Sequence, residues 1–265
     1  MVSATLLSLL MATAVSAVPS FMEGGHGHGR NHTKWNPHRR LARDEMILFS
    51  EKRAEVINED KWRELVKEKG YLPEPPAWNQ SWLDDAKDLA PVPVDETLEK
   101  RDCAHTFSIV TDKTERFVNW DVQMSPVVIG YGSGIDITVS KSYSVANTVS
   151  VSAGVDLKFI KDRLGSELGV SLSRTWTTQQ GYMVRGSIAD GETGVVISTP
   201  WTNRRYGRVF QGCVGSTKQT GTWIADTYEE GSYEGVDWVA GAITVCAKKQ
   251  KSIPLSRCNG SGDFK

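Results

Sequence analysis

Residues 149–159, VSVSAGVDLKF, carry the clearest fold signal in this chain. Apolar side chains at 149, 151, 153, 155, 157 and 159 alternate with polar residues or glycine, the period of two expected of a half-buried β-strand. After a polar turn region, 161–166, the alternation resumes through Leu168, Val170 and Leu172. The two stretches predict a β-hairpin over residues 149–177 with one apolar face and one polar face.

The same residues also satisfy a helical pattern. Leu157, Ile160, Leu164 and Leu168 recur at spacings of three and four, so residues 156–168 also fit a short amphipathic helix interrupted by Gly165. Three interpretations therefore stay open for this segment: a hairpin packed on the core, a membrane-inserting hairpin, and a helix.

The sequence around this segment is typical of a β protein. Stretches rich in valine, isoleucine, threonine and aromatic residues occur at 107–109, 127–129, 135–139, 195–198 and 242–246, with glycine-containing turns between them. Nineteen of the 24 glycines but only three of the ten prolines lie after residue 101. We predict a mainly β fold for residues 102–265, either an antiparallel β-sandwich or an elongated β domain.

The N-terminus resembles a secretory signal peptide. Residues 4–15 form an apolar run too short to span a bilayer, and small residues follow up to Ala17. We therefore expect residues 1–17 to be removed and the protein to be secreted to the outside of the cell.

Residues 18–101 differ in composition from the rest of the 265-residue chain. A Gly/His-rich tract at 24–33 predicts disorder, a charged stretch at 44–69 predicts a helix, and five prolines between 73 and 93 predict an extended linker. We interpret 18–101 as a disordered and helical propeptide in front of a mature domain, 102–265.

The junction between these two regions is Lys100-Arg101. It resembles the sites that kexin-type proteases cut in secreted fungal proteins such as killer toxins and effectors. The resemblance implies cleavage after Arg101 by a protease of that type.

Four cysteines, Cys103, Cys213, Cys246 and Cys258, all follow this junction. In an exported chain they predict two disulfides, for which three connectivities are possible. We favour Cys213–Cys246, because both lie in strand-like stretches, and Cys103–Cys258, which would tie the ends of the domain. Three sequons predict glycosylation, at Asn31, Asn79 and Asn259.

The pattern over residues 138–198 resembles that of the aerolysin-type β-pore-forming proteins. In that family an amphipathic hairpin flanked by Ser/Thr-rich strands refolds into the wall of an oligomeric pore after proteolytic activation. The resemblance implies a homo-oligomer and a set of side chains facing lipid: Val149, Val151, Val155, Leu157, Phe159, Leu168, Val170 and Leu172.

Composition and motifs give little support to catalysis. With 31 basic and 32 acidic residues the chain is near neutral, so we expect no nucleic-acid partner. His105 is the single histidine after residue 101, and the chain contains no HExxH, GxSxG or Walker sequence. We expect no enzyme activity, no cofactor and no metal.

One cluster of carboxylates and aromatic side chains is the best candidate for a binding site, because this combination suits sugar stacking. Its members are Trp223, Tyr228, Glu229, Glu230, Tyr233, Glu234, Asp237 and Trp238. The sequence thus favours a secreted, non-enzymatic effector or toxin, membrane-active through the 149–177 hairpin. The alternatives are an extracellular binding module for a glycan or protein and, less favoured, a glycan-active enzyme.

Overall fold

The computed structural model describes residues 33–36, 39–84, 107–179, 184–213 and 217–265. The first strands are β1 (Thr33–Lys34), β2 (Glu45–Ser50), β3 (Arg53–Asn58), β4 (Phe107–Val118), β5 (Val122–Gln123), β6 (Val128–Ile129), β7 (Ile135–Thr138), β8 (Ser144–Ala146) and β9 (Thr148–Val151). The later strands are β10 (Thr175–Thr177), β11 (Arg185–Ile188), β12 (Thr193–Gln211), β13 (Lys218–Tyr228), β14 (Glu230–Tyr233), β15 (Val236–Val239), β16 (Gly241–Lys248), β17 (Leu255–Ser256) and β18 (Asp263–Phe264). The helices are α1 (Glu59–Glu68), α2 (Gln80–Asp84) and α3 (Leu157–Leu168).

A ten-stranded antiparallel sheet dominates this architecture, which confirms the predicted mainly β fold class. Four two-stranded sheets accompany it among the residues that the structure describes. All five predicted stretches, 107–109, 127–129, 135–139, 195–198 and 242–246, lie within or overlap observed strands.

Strand β12 organises the large sheet because each half of it has different neighbours. Its first half pairs with β16 on one side, from Thr193↔Lys248 to Pro200↔Gly241, and with β5 and β6 on the other. Its second half lies between β13 and β4. The strand is 19 residues long and almost entirely buried. We call the part of the sheet around its first half, 193–200, the lower sheet region, and the part around its second half, 201–211, the upper sheet region.

Residues 45–58 extend the lower sheet region, which corrects the predicted charged helix at 44–69. β2 pairs with β16, β3 pairs with β2, and only 59–68 is helical. Both faces of β2 are covered: Ile47 and Phe49 enter the main core cluster, and Met46 packs beneath α1. Because two-sided burial removes the alternation of apolar and polar residues, the period of two was hidden.

The described part of the predicted propeptide, 33–36 and 39–84, is therefore packed into the same compact unit as the β domain. The predictions at Ala17, Asn31, Lys100 and Arg101, and most of the Gly/His-rich tract, lie outside the described residues.

The upper sheet region is covered by one helix on each face. α3 packs through Ile160 and Leu164 onto the cluster around Trp223. α2 packs through Leu83 onto Tyr206 and Ile224 on the opposite face. This position of α3 corrects the predicted hairpin over 149–177 and confirms the helical alternative.

Two glycines and one cap explain why the helix forms. Gly154 adopts a left-handed φ of 84° just beyond β9 and turns the chain. Asp156 then caps α3, accepting a 3.0 Å hydrogen bond from the backbone N–H of Phe159. Gly169, with φ 64°, ends the helix in the left-handed conformation that favours glycine.

The disulfide pairing differs from the prediction. Cys246 is bonded to Cys258, and Cys213 is also disulfide-bonded, whereas Cys103 lies outside the described residues. Cys246 is paired in register with Val195 near the start of β12, while Cys213 follows the end of that strand at Gln211. At ~3.3 Å per residue the two cysteines are on the order of 50 Å apart, too far for the predicted bond.

Candidate functional site

A short neck closes off the segment that carries the predicted hairpin. β7 pairs with β11 from Ile135↔Ile188 to Thr138↔Arg185, so this two-stranded ladder brackets residues 139–184. We call these residues the hairpin segment, and we call the described residues of 107–138 and 185–265 the body.

Inside the hairpin segment a second ladder continues the neck. β8 pairs with β10, and Ala146 lies opposite Thr175. If the register of the neck were continued, Ala146 would lie opposite Thr177. The observed partner is Thr175, so the registers of the two ladders are offset by only two residues. The segment is therefore one interrupted antiparallel hairpin as far as Ala146.

Beyond Ala146 the two arms separate, and one of them joins the body. β9 pairs with β13, with Val151 opposite Trp223 and Thr148 opposite Asp226. At its end, the backbone N–H of Ser152 donates to the carbonyl of Thr222 over 2.9 Å, and the N–H of Thr222 donates to Ser152 Oγ over 2.9 Å. β9 thus occupies an edge of the upper sheet region.

The predicted lipid-facing side chains cover this part of the body. Leu172 is buried in the cluster that contains Trp223, and Leu157 is exposed. The others are partly buried against the same cluster: Val149, Val151, Val155, Phe159, Leu168 and Val170. The structure brings seven of the eight predicted residues together on one surface, as a helix–strand unit.

The predicted binding cluster is divided among several environments. Trp223 and Trp238 are fully buried, in two different core clusters, so neither can stack on a ligand. Tyr233 packs edge-on against Trp35, and Glu234 forms an exposed ion pair with Lys34 at 3.2 Å.

The remaining four members, Tyr228, Glu229, Glu230 and Asp237, line one cavity of about 1000 Å³. Its wall includes residues from three regions: 50–53 and 69 from the N-terminal part, 147, 169–171 and 174 from the hairpin segment, and 201–240 from the body. Arg174 and Glu230 form an ion pair across it at 3.0 Å, which joins the hairpin segment to the body.

Tyr228 of this cavity and Tyr71, which is hydrogen-bonded to the cavity residue Glu229, both have a raised pKa. Burial, together with nearby Asp226, raises the pKa of Tyr228 to about 12. Burial and a hydrogen bond from the Tyr71 hydroxyl to Glu229 raise the pKa of Tyr71 as well. Both phenols therefore remain protonated donors at neutral pH, which suits hydrogen bonding rather than proton transfer.

A second cavity, of about 660 Å³, is an aromatic groove that sequence reasoning missed. It is lined by Trp62, Tyr71 and Trp120, with Pro73 and Pro75 along its edge. Trp62 stacks on the buried Trp201 with an interplanar angle of 9°. The residues that meet here are far apart in the sequence, so only the number of tryptophans, nine, hinted at such a surface.

The third predicted sequon lies at the same groove. The backbone N–H of Asn259 donates to Asp121 over 2.7 Å, and its side-chain amide donates to the same carboxylate over 2.9 Å. The adjacent Gly260 approaches Trp120 so closely that a Cβ would lie 2.4 Å from the indole. Asn79, the second sequon residue, is exposed and accepts a hydrogen bond from the N–H of Trp82.

Comparison of the chain with protein-family models, with curated proteins and with solved structures finds no match. None of the helices among the described residues is long and apolar enough to cross a membrane. Within the same residues, no group of three or more His, Cys, Asp or Glu side chains is arranged to hold a metal ion.

Proposed function

We propose that this chain is the precursor of a secreted, non-enzymatic, toxin-like effector that acts on a target membrane. In this proposal the hairpin segment leaves the body and re-forms as a transmembrane β-hairpin, and several copies each contribute one hairpin to a pore. Cleavage after Arg101 precedes this change. The observation that carries the proposal is the register in which β8 pairs with β10.

If the pairing of Ala146 with Thr175 is continued toward the tip, apolar residues fall opposite apolar residues. The apolar pairs are Val145 with Trp176, Val149 with Leu172, Val151 with Val170, Ala153 with Leu168, and Leu157 with Leu164. The polar pairs include Thr148 with Ser173 and Ser150 with Ser171. Ala146 opposite Thr175 and Val155 opposite Ser166 are the two mismatches, and the polar interruptions Asn147 and Arg174 fall opposite each other.

This continued hairpin has the dimensions and the pattern of a membrane strand pair. Its arms, 145–157 and 164–176, each exceed the ~9–11 residues that a tilted transmembrane strand needs. Because side chains alternate between the two faces, one face would contact lipid and the other the water-filled lumen. The apolar side chains that now lie on the Trp223 cluster would then contact lipid, which offsets the loss of their present burial.

A disulfide lock tests this mechanism. Val149 and Ala225 are register partners on β9 and β13. Since Ser152 and Thr222 exchange hydrogen bonds three positions away, Val149–Ala225 is a non-hydrogen-bonded pair, the type with the closest Cβ atoms. The variant V149C/A225C should form a bond that holds β9 on the body. Release of a dye from liposomes by the cleaved protein should fall at least tenfold.

The single variant V149C is the matched control, because it carries a substitution in the hairpin segment without the lock. It should release dye within about twofold of the unmodified protein. Equal leakage by the locked protein would show that β9 need not leave the body, and intact liposomes with every cleaved variant, also after removal of the N-terminal fragment, would overturn the proposed function.

Two adjacent lysine substitutions then distinguish the faces. In the continued hairpin Val170 faces lipid and Ser171 faces the lumen. Val170→Lys should abolish leakage, because a lysine near the bilayer midplane costs ~2–4 kcal/mol, whereas Ser171→Lys should preserve it. Equal loss for both would contradict the alternation.

A second candidate function, glycan binding outside the cell, is favoured by the aromatic groove. Trp62 and Trp120 offer flat apolar surfaces for sugar rings, with Asn119, Arg63 and Glu74 at the edge. Trp120→Ala should remove binding of oligosaccharides measured by tryptophan fluorescence. Trp78→Ala is the matched control, since Trp78 and Trp120 are both 45% exposed and Trp78 lies outside the groove. Unchanged binding in Trp120→Ala would exclude the groove.

A further inference from the structure

Residues 33–84, which we call the clamp segment, precede the Lys100-Arg101 junction and yet contribute strands to the large sheet. We infer that cleavage after Arg101 leaves this segment bound, so that the cut protein is a two-chain complex. We further infer, on the basis of the proposed function, that the clamp segment must be displaced before the hairpin segment can open.

Backbone pairing is the first reason for retention. β16 pairs with β12 on one side and with β2 on the other, from Gly241↔Phe49 to Ile243↔Ile47. Removing the clamp segment would leave this edge of β16 without its partners. The junction at residue 101 lies in 85–106, outside the described residues, so its cleavage interrupts no described strand.

Side-chain packing is the second reason. Ile47, Phe49 and Ala54 are almost fully buried and share one cluster with Val196, Trp238 and Ile243 of the body. On the other face of the sheet, Met46 and Ile57 pack with Ala242. Neither side of this interface has an alternative cover among the described residues, so dissociation would expose a continuous apolar surface on both chains.

The clamp segment also contacts the neck of the hairpin segment. The backbone N–H of Leu41 donates to the carbonyl of Arg185 over 2.9 Å. Arg40 forms an ion pair with Asp136 at 2.6 Å, and Arg185 pairs with the same carboxylate at 2.9 Å. Leu41 and Trp35 pack in the cluster that contains Trp176 of β10. These contacts hold the base of the interrupted hairpin.

At the other end, the clamp segment contacts the strand on which β9 rests. Thr222 Oγ1 donates to the carbonyl of Trp82 over 2.6 Å, while the N–H of the same residue donates to Ser152 Oγ over 2.9 Å. The Trp82 indole donates to the carbonyl of Gly207 over 3.3 Å. The clamp segment therefore stabilises both the base of the hairpin segment and the docking site of β9.

Retention can be measured without reference to membranes. A recognition sequence for a sequence-specific protease is substituted for residues 98–101 in the full-length protein, and the protein is cut. On size-exclusion chromatography in native buffer the two fragments should co-elute, and they should separate in denaturant. Elution of the N-terminal fragment alone in native buffer would overturn the inference.

Two variants of the clamp segment make the measurement specific. Phe49→Ala removes a buried ring at the interface and should raise the dissociation constant of the two fragments at least tenfold. Arg63→Ala is the control, because Arg63 is exposed and pairs with Glu59 inside the clamp segment, and it should change the constant less than twofold. Equal dissociation constants for both variants would contradict the proposed interface.

Liposome leakage separates this inference from the proposed function. Cut protein with the clamp segment bound should leak at least tenfold more slowly than cut Phe49→Ala protein from which the fragment has dissociated. Fast leakage by the intact complex would refute the requirement for displacement and leave pore formation standing. Co-elution without leakage in any state would instead refute pore formation and leave retention standing.

Discussion

Strand β12 and the hairpin segment show two ways in which this chain builds β structure. β12 is paired on both sides along most of its 19 residues and is buried almost throughout. The strands β8, β9 and β10 of the hairpin segment are three or four residues long, and all their residues except the buried Trp176 are partly or fully exposed. The difference implies that the body has one well-determined fold, whereas the hairpin segment is held by short ladders and one cluster of apolar contacts.

The largest expected difference comes from the same substitution made in the two regions. Ile197 on β12 and Ile160 on α3 are both 0% exposed. Ile197→Ala should lower the global free energy of unfolding by ~2–5 kcal/mol, because it leaves a cavity in a well-packed sheet. Ile160→Ala should mainly lower the free energy of local opening of residues 148–171. Urea denaturation reports the first quantity and hydrogen exchange the second.

The contrary result is that both variants lower the global free energy of unfolding equally, without faster hydrogen exchange in α3 than elsewhere. That result would contradict the difference in stability between the body and the hairpin segment. That outcome would mean that the hairpin segment unfolds only together with the body, and a hairpin that opens by itself would then be excluded.

The next largest effect is expected from the disulfide Cys246–Cys258, which lies entirely within the body. Cys246–Cys258 closes a loop with a sequence separation of 12 and fastens the C-terminal strands β17 and β18 near the start of β12. The double variant C246S/C258S should lower the free energy of unfolding by ~2–4 kcal/mol. Hydrogen exchange should rise in residues 249–265 and remain unchanged in 148–171. A rise in both regions would show that the body and the hairpin segment are energetically coupled.

Sequence reasoning succeeded in the body and was incomplete in the hairpin segment, for a physical reason. Strands such as 195–198 and 242–246 have no competing periodicity, so composition alone located them. The period of two over 149–159 overlaps the helical spacing over 156–168, and the sequence could not say which pattern would prevail. The proposed function requires this segment to form a hairpin, which is the structure that the period of two predicts, in place of the helix observed.

The N-terminal part was missed for a different reason. Residues 45–50, EMILFS, are apolar on both faces because α1 covers one face and the main core covers the other. The aromatic groove was also unpredictable, since Trp62 and Trp120, which both line it, are 58 positions apart in the sequence (120 − 62). Long-range contacts of this kind leave no local pattern in a single sequence.

A smaller effect is expected at the cap of α3. Asp156→Ala removes the acceptor for the N–H of Phe159 and should weaken the helix by ~1 kcal/mol. Local hydrogen exchange in α3 should accelerate about fivefold with little change in global unfolding. Asp162→Ala, the same chemical change at an exposed position within α3, leaves the cap in place and should not accelerate exchange. Similar acceleration in both variants would argue against the cap as the determinant of the helix.

The smallest effect is a pH dependence with opposite signs at the neck, which holds the base of the hairpin segment, and at Asp121. At the neck, Arg40 and Arg185 hold the pKa of Asp136 below its usual value. Its stabilising contribution is present above the unfolded-state pKa of ~3.9 and is lost as the pH falls through the lower folded-state pKa. Because these groups are partly exposed, the contribution is about 0.5 kcal/mol. Elsewhere in the body, burial raises the pKa of Asp121, so acidification favours its folded environment.

Hydrogen exchange corrected for intrinsic rates, followed from pH 6 to pH 3, should therefore show earlier loss of protection at the neck than around Asp121. Asp136→Asn should remove the acid-induced loss at the neck, because an amide does not titrate, while the exposed control Asp190→Asn should keep it. If the neck of Asp136→Asn loses protection at the same pH as the unmodified protein, the ion pair from the clamp segment does not control opening. The buried contacts of Trp35 and Leu41 would then account for the stability of the neck.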